Sequence, residues 1–396
     1  MLMTACKQNL INQEINLNVE SSAYGLIFSI KGSAIDPDNK ITILEAKWGD
    51  NKTEIFTGID FSKIDINHKY SEPGTYNVFL TAVNDNKDSV SENLSVSVDF
   101  NETSLENIKP NLFKTSEKEY LILTINLHTY QEDNQNEKFN LIVDLIAKMD
   151  IDFITFQECA QYKNSSIVNG IIREDNMVKF ISDKLKEKYN LDYNFVWNWA
   201  HYGWDVWEEG IAVLSKYPRL DSDERYISTT NNTSSINSRK VIYGSYQLSG
   251  GIINVFSAHT HWRTFLNDQE QNKQINNIKL MVEEKEALLT NVTSFVCGDF
   301  NGNPTSEYPW SEGYNTMMAN NKYIDTFLKI YPDANNIPSQ SIYYTVFGDF
   351  PGRIDYIFMK ENLSYQVSAS QIVFTSNVIG EVSDHFGVLT KIRDIQ

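Results

Sequence analysis

At residues 294–301 the chain reads Ser294-Phe295-Val296-Cys297-Gly298-Asp299-Phe300-Asn301, an apolar run that ends in a carboxylate and an amide. The apolar part predicts a buried strand, and open sheets usually keep their functional sites just beyond strand ends. Three further runs carry polar residues at the same place: Asn126 follows Leu121–Ile125, Gln157-Glu158 follows residues 152–156, and Ser383-Asp384-His385 precedes residues 386–389. Strand caps alone do not explain four such placements, so we expect them to form one site.

The side chains at these strand ends suit the hydrolysis of a phosphoester. A phosphate repels an attacking anion unless a cation intervenes, and Mg²⁺ binds oxygen ligands such as one or two carboxylates. The attacking water needs a carboxylate or a histidine to take its proton. The charge that develops on the phosphoryl oxygens needs fixed donors, such as a histidine or an asparagine amide. The chain offers each of these groups.

Hydrophobic patterns divide the chain into two modules. Residues 15–99 contain short runs that alternate near period two and are separated by turn residues, which predicts an all-β sandwich. Residues 100–118 are polar and show no sustained period, so we predict a linker there. From residue 119 to residue 396, apolar strands alternate with amphipathic helices, which predicts α/β or α+β layering.

The composition limits the classes of partner. The net charge of −18 repels polyanions, so extended contact with nucleic acid is not favoured, although bound cations would alter the field locally and leave a nuclease open. No apolar run approaches the roughly 20 residues that span a bilayer. Three cysteines cannot form a disulfide framework.

The start of the chain carries a weak localisation signal. Met3-Thr4-Ala5-Cys6 resembles the end of a bacterial lipoprotein signal, but the basic start and the long apolar stretch of such a signal are missing. The resemblance favours a secreted or cell-surface protein outside the cytoplasm, with a lipid anchor at Cys6 and residues 1–14 as a tether. The alternative is a free cysteine near an ordinary start.

The second module resembles the endonuclease/exonuclease/phosphatase superfamily from about Tyr120 to Lys391. Seven motifs occur in the order of that superfamily: Asn126, Gln157-Glu158, Glu209-Gly210, His259, Gly298-Asp299-Phe300-Asn301, Arg353-Ile354-Asp355-Tyr356 and Ser383-Asp384-His385. The resemblance implies an α/β (α+β) four-layer sandwich, in which two facing mixed β-sheets carry helices on the outside. It also implies a metal site at one rim that holds Mg²⁺ or Mn²⁺.

The resemblance assigns roles around this metal. Glu158 matches the principal metal ligand, Asn126 lies beside the metal or its waters, and Asp384 is a further carboxylate near it. Asp299 matches the carboxylate that positions the attacking water. Asn301 matches the amide that holds a phosphate oxygen.

The resemblance also assigns roles to two histidines. His385 matches the histidine that contacts the phosphate or takes a proton, and Asp355 orients it. His259 matches a second phosphate-contacting histidine, for which Glu209 is the expected orienting partner, although the adjacent Glu208 could take its place. Whether Asp299 or His385 is the base stays open.

An aromatic segment at residues 197–210, with Arg173-Glu174-Asp175-Asn176 before it, looks like the bacterial subgroup that contains maltose-phosphate phosphatases. Such a cluster suits stacking on a sugar or another flat ring, and the alternative is a hydrophobic plug between loops. Arg239 suits phosphate binding, and the alternative for this residue is an exposed salt bridge. The residues predicted to bind substrate are Arg239, His201, Trp204 and Trp207.

The first module resembles the polycystic-kidney-disease (PKD) type of immunoglobulin-like domain. The resemblance rests on Trp48-Gly49-Asp50 and on the stretch from His68 to Tyr76. In such domains Trp48 is a core residue, and His68 is expected to be a turn or packing residue. PKD-like modules act as spacers or as contacts to glycans and proteins.

Three functions follow from these patterns. The leading prediction is the divalent-metal-dependent hydrolysis of a compact phosphomonoester or a headgroup-like phosphoester. A secreted nuclease or phosphodiesterase is the alternative that shares every catalytic residue. A surface-binding protein with an inactive hydrolase fold would show a broken motif, and all seven motifs are intact.

Overall fold

The structure is a computed structural model that describes residues 14–263, 265–287, 289–306, 310–336, 341–348, 351–361 and 364–396. Contacts within the chain divide it into two compact units, with the boundary between Glu102 and Thr103. Cys6 and all but the last residue of the expected tether lie outside the described residues. None of the described helices has the length and apolar character needed to cross a membrane.

The smaller unit is an all-β sandwich, as predicted. Its antiparallel sheets have the strand orders β1-β2-β5 and β4-β3-β6-β7. Trp48 is fully buried in the core, and its ring stacks on that of His68 with centroids 4.8 Å apart. The strands are β1 (Asn16–Tyr24), β2 (Ile27–Ile35), β3 (Ile41–Lys47), β4 (Thr53–Thr57), β5 (Ile64–Lys69), β6 (Gly74–Asn84) and β7 (Ser89–Val98).

The larger unit contains two six-stranded mixed sheets and a small hairpin. The strands of the larger unit are β8 (Glu119–Asn126), β9 (Phe153–Tyr162), β10 (Ile167–Asn169), β11 (Ile172–Arg173), β12 (Asn194–Gly203), β13 (Trp207–Ser215), β14 (Arg219–Tyr226), β15 (Lys240–Leu248), β16 (Gly251–His259), β17 (Val292–Asp299), β18 (Tyr323–Asp325), β19 (Asp355–Lys360), β20 (Tyr365–Val373) and β21 (Gly387–Asp394). The first sheet has the order β12-β13-β9-β8-β21-β20, and the second has the order β14-β15-β16-β17-β19-β18.

Four helices pack on the outer faces of these sheets: α1 (Gln135–Met149), α2 (Met177–Tyr189), α3 (Glu270–Glu286) and α4 (Glu312–Met318). The short α5 (Thr326–Ile330) instead packs its Phe327 into the cluster between the two sheets. In α1, Phe139, Ile142, Leu145 and Ile146 recur at helical spacing and are buried, and this spacing predicts the helix from the sequence. Asn176 caps α2 by accepting a hydrogen bond from the backbone N–H of Lys179.

Alternation along β8 shows how the layers stack. Leu121, Leu123 and Ile125 are buried in a cluster with residues of α1 and α2. Tyr120 and Ile122, which point to the opposite face, are buried in a cluster with residues of the second sheet. A third cluster joins the second sheet to α3. The result is the predicted four-layer sandwich of helices, two facing sheets and helices.

Part of the segment predicted to be a linker belongs to the larger unit. Ile108 and Leu112 are buried in the cluster beneath α1. Thr103 donates a hydrogen bond to the buried Asp144 at 2.6 Å. Although the segment has the polar composition of a linker, its apolar residues Ile108 and Leu112 are part of the core of the larger unit.

Candidate active site

Strand register brings three of the expected catalytic residues to one edge of the second sheet. Asp299 ends β17, where it pairs with His259 on the parallel strand β16 and with Asp355 on the antiparallel strand β19. The preceding residue, Gly298, has φ +138°, and a Cβ there would lie 1.9 Å from the carbonyl oxygen of Ala258. Only glycine therefore permits this approach of β17 to β16.

The first sheet supplies Asn126 and Glu158 at the same rim. Asn126, at the end of β8, is buried, and its Nδ2 donates to Glu158 Oε1 at 2.9 Å and to Asp299 Oδ2 at 3.2 Å. One amide thus holds a carboxylate from each sheet. Glu158 has φ +46°, a left-handed conformation that costs a non-glycine residue roughly 1–2 kcal/mol. Such backbone strain clusters at functional sites.

The two carboxyls are electrostatically unfavourable without a cation. Burial raises the pKa of Glu158 to about 7, and the neighbouring Glu209 adds to the shift. Burial and the nearby Asp355 likewise raise the pKa of Asp299 to about 7. Glu158, Asp299 and His259 each offer one ligand atom, and these atoms lie within 4.8 Å of one another. Of these three groups, the two crowded carboxylates fit a hard divalent cation, which prefers oxygen ligands.

His385 and Asp355 form a buried pair beside Asp299. His385 Nδ1 lies 2.9 Å from Asp355 Oδ2, and His385 Nε2 lies 3.9 Å from Asp299 Oδ2. Burial lowers the pKa of His385, but Asp355 and Asp299 outweigh it and raise this pKa to about 10. His385 is therefore cationic at neutral pH, with Nδ1–H donated to Asp355 and Nε2–H directed towards the site.

His259 is the opposite case. Its Nε2 lies 3.6 Å from Asp299 Oδ2. Burial, together with the positive charge of Arg239, holds the pKa of His259 well below its usual value, so this imidazole is neutral. Because β16 ends at His259, His261 lies outside the strand and its Nε2 approaches Asp268 at 3.5 Å instead.

Glu209 holds the only arginine among the described residues that line the pocket. Glu209 Oε1 lies 3.2 Å from His201 Nε2 and 3.6 Å from a terminal nitrogen of Arg239. Thr129 donates to the other oxygen of Glu209 at 3.2 Å. Burial would raise the pKa of Glu209, but His201 and Arg239 hold it below its usual value. Glu209 therefore supports His201 and Arg239, whereas the sequence led us to expect it to orient His259.

These groups surround a pocket of about 400 Å³. Three apolar residues, Trp204, Ile236 and Trp262, form what we call the mouth, with exposed fractions of 56%, 52% and 39%. The Arg239 guanidinium lies over the Trp262 ring at 5.5 Å from its centroid. The remaining lining residues are Glu158, Gly203, Glu209, Arg239, His259, Asp299, Asn301 and His385, which we call the floor.

Two of the residues predicted to bind substrate, Trp207 and His201, do not line the pocket, whereas Asn301 does. Trp207 stacks on Tyr130 with centroids 4.9 Å apart, so it packs between elements and does not face the pocket. His201 is almost fully buried, and its Nδ1 lies 2.9 Å from the carbonyl oxygen of Ser238, which makes it a support for the floor. Asn301 remains at the floor, where its Nδ2 donates to the carbonyl of Thr260 at 3.0 Å.

Asp384 lies at the periphery, with half of its side chain exposed. Its Oδ1 is 3.5 Å from His128 Nδ1, which also lies 2.7 Å from Glu132 Oε1. Asp384 raises the pKa of both Glu158 and His385. Its effect on the site is therefore electrostatic in this structure.

Trp262 and Ile236 were not predicted from the sequence. Trp262 follows His259 by three residues, so an aromatic residue just past a catalytic strand end was the available signal. Ile236 lies within the polar segment from Thr229 to Ser238, where an isolated apolar residue carries no recognisable pattern.

The comparisons with known proteins agree with this geometry. A model of the Endonuclease/Exonuclease/phosphatase family matches residues 123–385. A solved structure of an endonuclease/exonuclease/phosphatase family protein from Leptotrichia buccalis C-1013-b is 25% identical, with a TM-score of 0.59 over 69% of this chain and 99% of that chain. No curated protein matches the sequence.

Two further solved structures show the same fold. A family protein from Bacteroides thetaiotaomicron is 15% identical, with a TM-score of 0.50 over 70% of this chain and 96% of that chain. The human Nocturnin catalytic domain with bound sulfate anion is 16% identical, with a TM-score of 0.52 over 70% of this chain and 95% of that chain.

The matched segment spans the expected catalytic residues from Asn126 to His385 and more than half of the chain. Members of this family are phosphoester hydrolases and generally use divalent metals. The chain therefore belongs to the Endonuclease/Exonuclease/phosphatase family.

Proposed function

We propose that this protein is a Mg²⁺-dependent phosphomonoesterase that acts on a compact substrate. The observation that carries the proposal is the position of Arg239, a buried cation in the wall of the same pocket as Glu158 and Asp299. Its Nε has no hydrogen-bond partner among the described residues, and the other described polar contacts of the guanidinium are to Glu209 and His201. A phosphate oxygen would accept a hydrogen bond from a terminal N–H group of this guanidinium.

Glu158 at the floor would hold the cation. Asp299 lies next to this site and takes the proton of the attacking water, and Asn126 keeps both carboxyls in place. A bound divalent cation would supply positive charge to the phosphate and lower the pKa of a bound water. The peripheral carboxylate of Asp384 adds negative charge that favours cation binding.

The proton-transfer roles follow from the pKa values of the buried groups. Asp299, with its pKa raised to about 7, can take a proton from water near neutral pH. The backbone N–H of Asn301 donates to Asp299 Oδ1 at 2.8 Å and fixes the orientation of the carboxyl. His385 is already protonated, so it acts as a donor to the phosphate rather than as the base. Neutral His259 provides a second nitrogen for a phosphate oxygen.

The charge at the floor favours a monoester over a diester. A phosphomonoester carries up to two negative charges, and a diester carries one. Arg239 and cationic His385 lie in one pocket with the proposed cation site, so the dianion gains more from this pocket than the monoanion does.

A nuclease is the weaker alternative. Single-strand binders combine aromatic faces with basic residues that follow the backbone. Among the described residues that line the pocket, Arg239 is the only lysine or arginine. With a net charge of −18, the chain offers little to hold the neighbouring phosphates of a polymer.

The decisive variant is Arg239→Gln, compared at fixed Mg²⁺ on p-nitrophenyl phosphate and bis-p-nitrophenyl phosphate. We expect kcat/KM on the monoester to fall about 100-fold and kcat/KM on the diester to fall less than about tenfold. Arg219→Gln is the matched control, since this exposed arginine on β14 lies outside the pocket lining. A wild-type protein that prefers the diester, or equal losses on both substrates, would contradict a phosphomonoesterase.

We further propose that the smaller unit is a PKD-like domain that contacts a glycan or a protein, and that the protein works outside the cytoplasm. The burial of Trp48 and its stacking on His68 support the PKD-like assignment. The resemblance around Cys6 supports a lipid anchor and a cell-surface location. Cell fractionation of the native chain and of Cys6→Ser tests this location, because an anchored protein would leave the membrane fraction when the cysteine is replaced.

A further inference from the structure

The mouth of the pocket differs in chemistry from its floor. The floor is made of carboxylates, imidazoles, an amide and a guanidinium, which suits a phosphate. The mouth consists of two indoles and an isoleucine, all substantially exposed. Exposed large apolar side chains around a polar pocket mark a binding site for an apolar surface.

The two indoles are held in place by neighbours. Trp262 has the Arg239 guanidinium over its ring, and Trp204 makes an edge contact with His128 at a centroid distance of 6.3 Å. Trp204 lies in the turn between β12 and β13, where its φ is +48°. Each indole therefore presents exposed surface to the pocket without being a freely rotating surface residue.

The size of the pocket limits what these faces can contact. Ligand pockets commonly measure about 300–1,000 Å³, and this one, at about 400 Å³, lies near the small end. A phosphate fills the floor, so the room left at the mouth suits one ring. A long acyl chain would need an extended apolar groove, whereas the described mouth has only three apolar residues.

We propose that Trp204 and Trp262 are specificity-determining residues that select a phosphomonoester whose leaving group is a single ring. The ring lies against an indole face while the phosphate contacts Arg239 and the two histidines of the floor. This inference rests on the proposed phosphomonoesterase function. An aromatic ring and a saturated sugar ring both offer a flat face to an indole, and the choice between them is made by the substrates of the test.

The test compares Trp204→Ala and Trp262→Ala with the wild type on three substrates: p-nitrophenyl phosphate, glucose 6-phosphate and glycerol 3-phosphate. Each variant is compared with the wild type on the same substrate, which removes differences in leaving-group reactivity. We expect each variant to lower kcat/KM about tenfold on the ring-bearing substrates, mainly through KM, and to change glycerol 3-phosphate less than about twofold. Trp310→Ala is the matched control, because this tryptophan is 42% exposed and lies outside the pocket lining.

The outcomes distinguish a failure of this inference from a failure of the proposed phosphomonoesterase function. A loss confined to one of the two ring-bearing substrates supports the inference and identifies the type of ring. Equal losses on all three substrates, or no loss on any, would overturn it while leaving a phosphomonoesterase. If the wild type hydrolyses none of the three with Mg²⁺, the phosphomonoesterase proposal itself fails. Thermal unfolding of each variant checks that the fold is retained.

Discussion

Glu208 and Glu209 are neighbours in β13, yet their side chains serve different structures. Glu208 accepts two hydrogen bonds from Arg173, both at 2.9 Å, whereas Glu209 lies 3.2 Å from His201 and 3.6 Å from Arg239. Successive side chains of a strand point to opposite faces, so only one of the two can reach the pocket. Register therefore places Glu209, and not Glu208, at the pocket, where its partners are His201 and Arg239 and not the His259 expected from the sequence.

This relationship predicts that the two glutamates fail in different ways when replaced. Glu209→Gln removes the charge that holds Arg239, and we expect kcat/KM on a phosphomonoester to fall about 10–100-fold. Glu208→Gln breaks the charged pair with Arg173, and we expect the free energy of unfolding to fall by about 2 kcal/mol with activity nearly retained. Steady-state kinetics and urea unfolding measure the two effects. Exchange of the two phenotypes would show that the register is wrong.

Gly203 leaves the space that Glu209 occupies. A Cβ at residue 203 would lie 2.8 Å from Glu209 Oε2, so Gly203→Ala should displace that carboxylate. We expect a loss of monoester hydrolysis similar to that of Glu209→Gln, without loss of the fold. Gly74→Ala in the smaller unit is the control, because its nearest contact would be an ordinary 3.4 Å to Tyr76. Full activity of Gly203→Ala would argue against a fixed Glu209.

Cation binding should depend on pH. The pKa values of Glu158 and Asp299 are raised to about 7, above those of the unfolded chain, so these two groups cost the metal-free fold stability as pH rises from about 4 to 7. A cation must displace their protons below pH 7, and affinity should fall by about tenfold or more for each pH unit lost. Calorimetric Mg²⁺ titrations at pH 6, 7 and 8 measure this. Equal affinity at pH 6 and 8 would contradict the raised pKa values.

The boundary between the units can be tested with two fragments of the larger one. Residues 103–396 keep Ile108 and Leu112, which are buried in the cluster beneath α1, whereas residues 116–396 lose both. Burial of an isoleucine or leucine side chain contributes about 1.5–3 kcal/mol, so we expect the shorter fragment to be less stable by about 3–6 kcal/mol. Urea unfolding of both fragments gives the difference. Equal stabilities would return residues 103–115 to the role of a linker.

Much of the fold could be predicted from the sequence because it depends on local patterns of apolar and polar residues. Alternating runs predicted the sandwich of the smaller unit, and the helical spacing of Phe139, Ile142 and Ile146 predicted α1. The burial of Leu112 could not be predicted, since the few apolar residues of this polar segment show no sustained period. Only the tertiary contacts show that it joins the core.

The site could be predicted from the sequence in part. The residues at strand ends, such as Asn126 and Asp299, come together because the strand ends meet at one rim. The contributions of loops were not accessible in this way. Trp207 belongs to the aromatic segment but packs on Tyr130, while Trp262, outside that segment, reaches the mouth. The conformation of a loop depends on contacts between residues that are distant in the sequence. Local sequence patterns do not reveal these contacts.

The central claim is that phosphomonoester hydrolysis requires a cation held by Glu158. Titration of metal-stripped protein with Mg²⁺ tests this claim most directly. The rate of p-nitrophenyl phosphate hydrolysis is measured for the wild type and for Glu158→Gln, with thermal unfolding of both metal-free proteins as the check on folding. We predict no turnover in EDTA, saturable recovery with Mg²⁺, and a rate for Glu158→Gln that is lower by at least about 100-fold at every Mg²⁺ concentration. Undiminished turnover in EDTA, or a Glu158→Gln protein as active as the wild type, would contradict the proposed metal-dependent phosphomonoesterase.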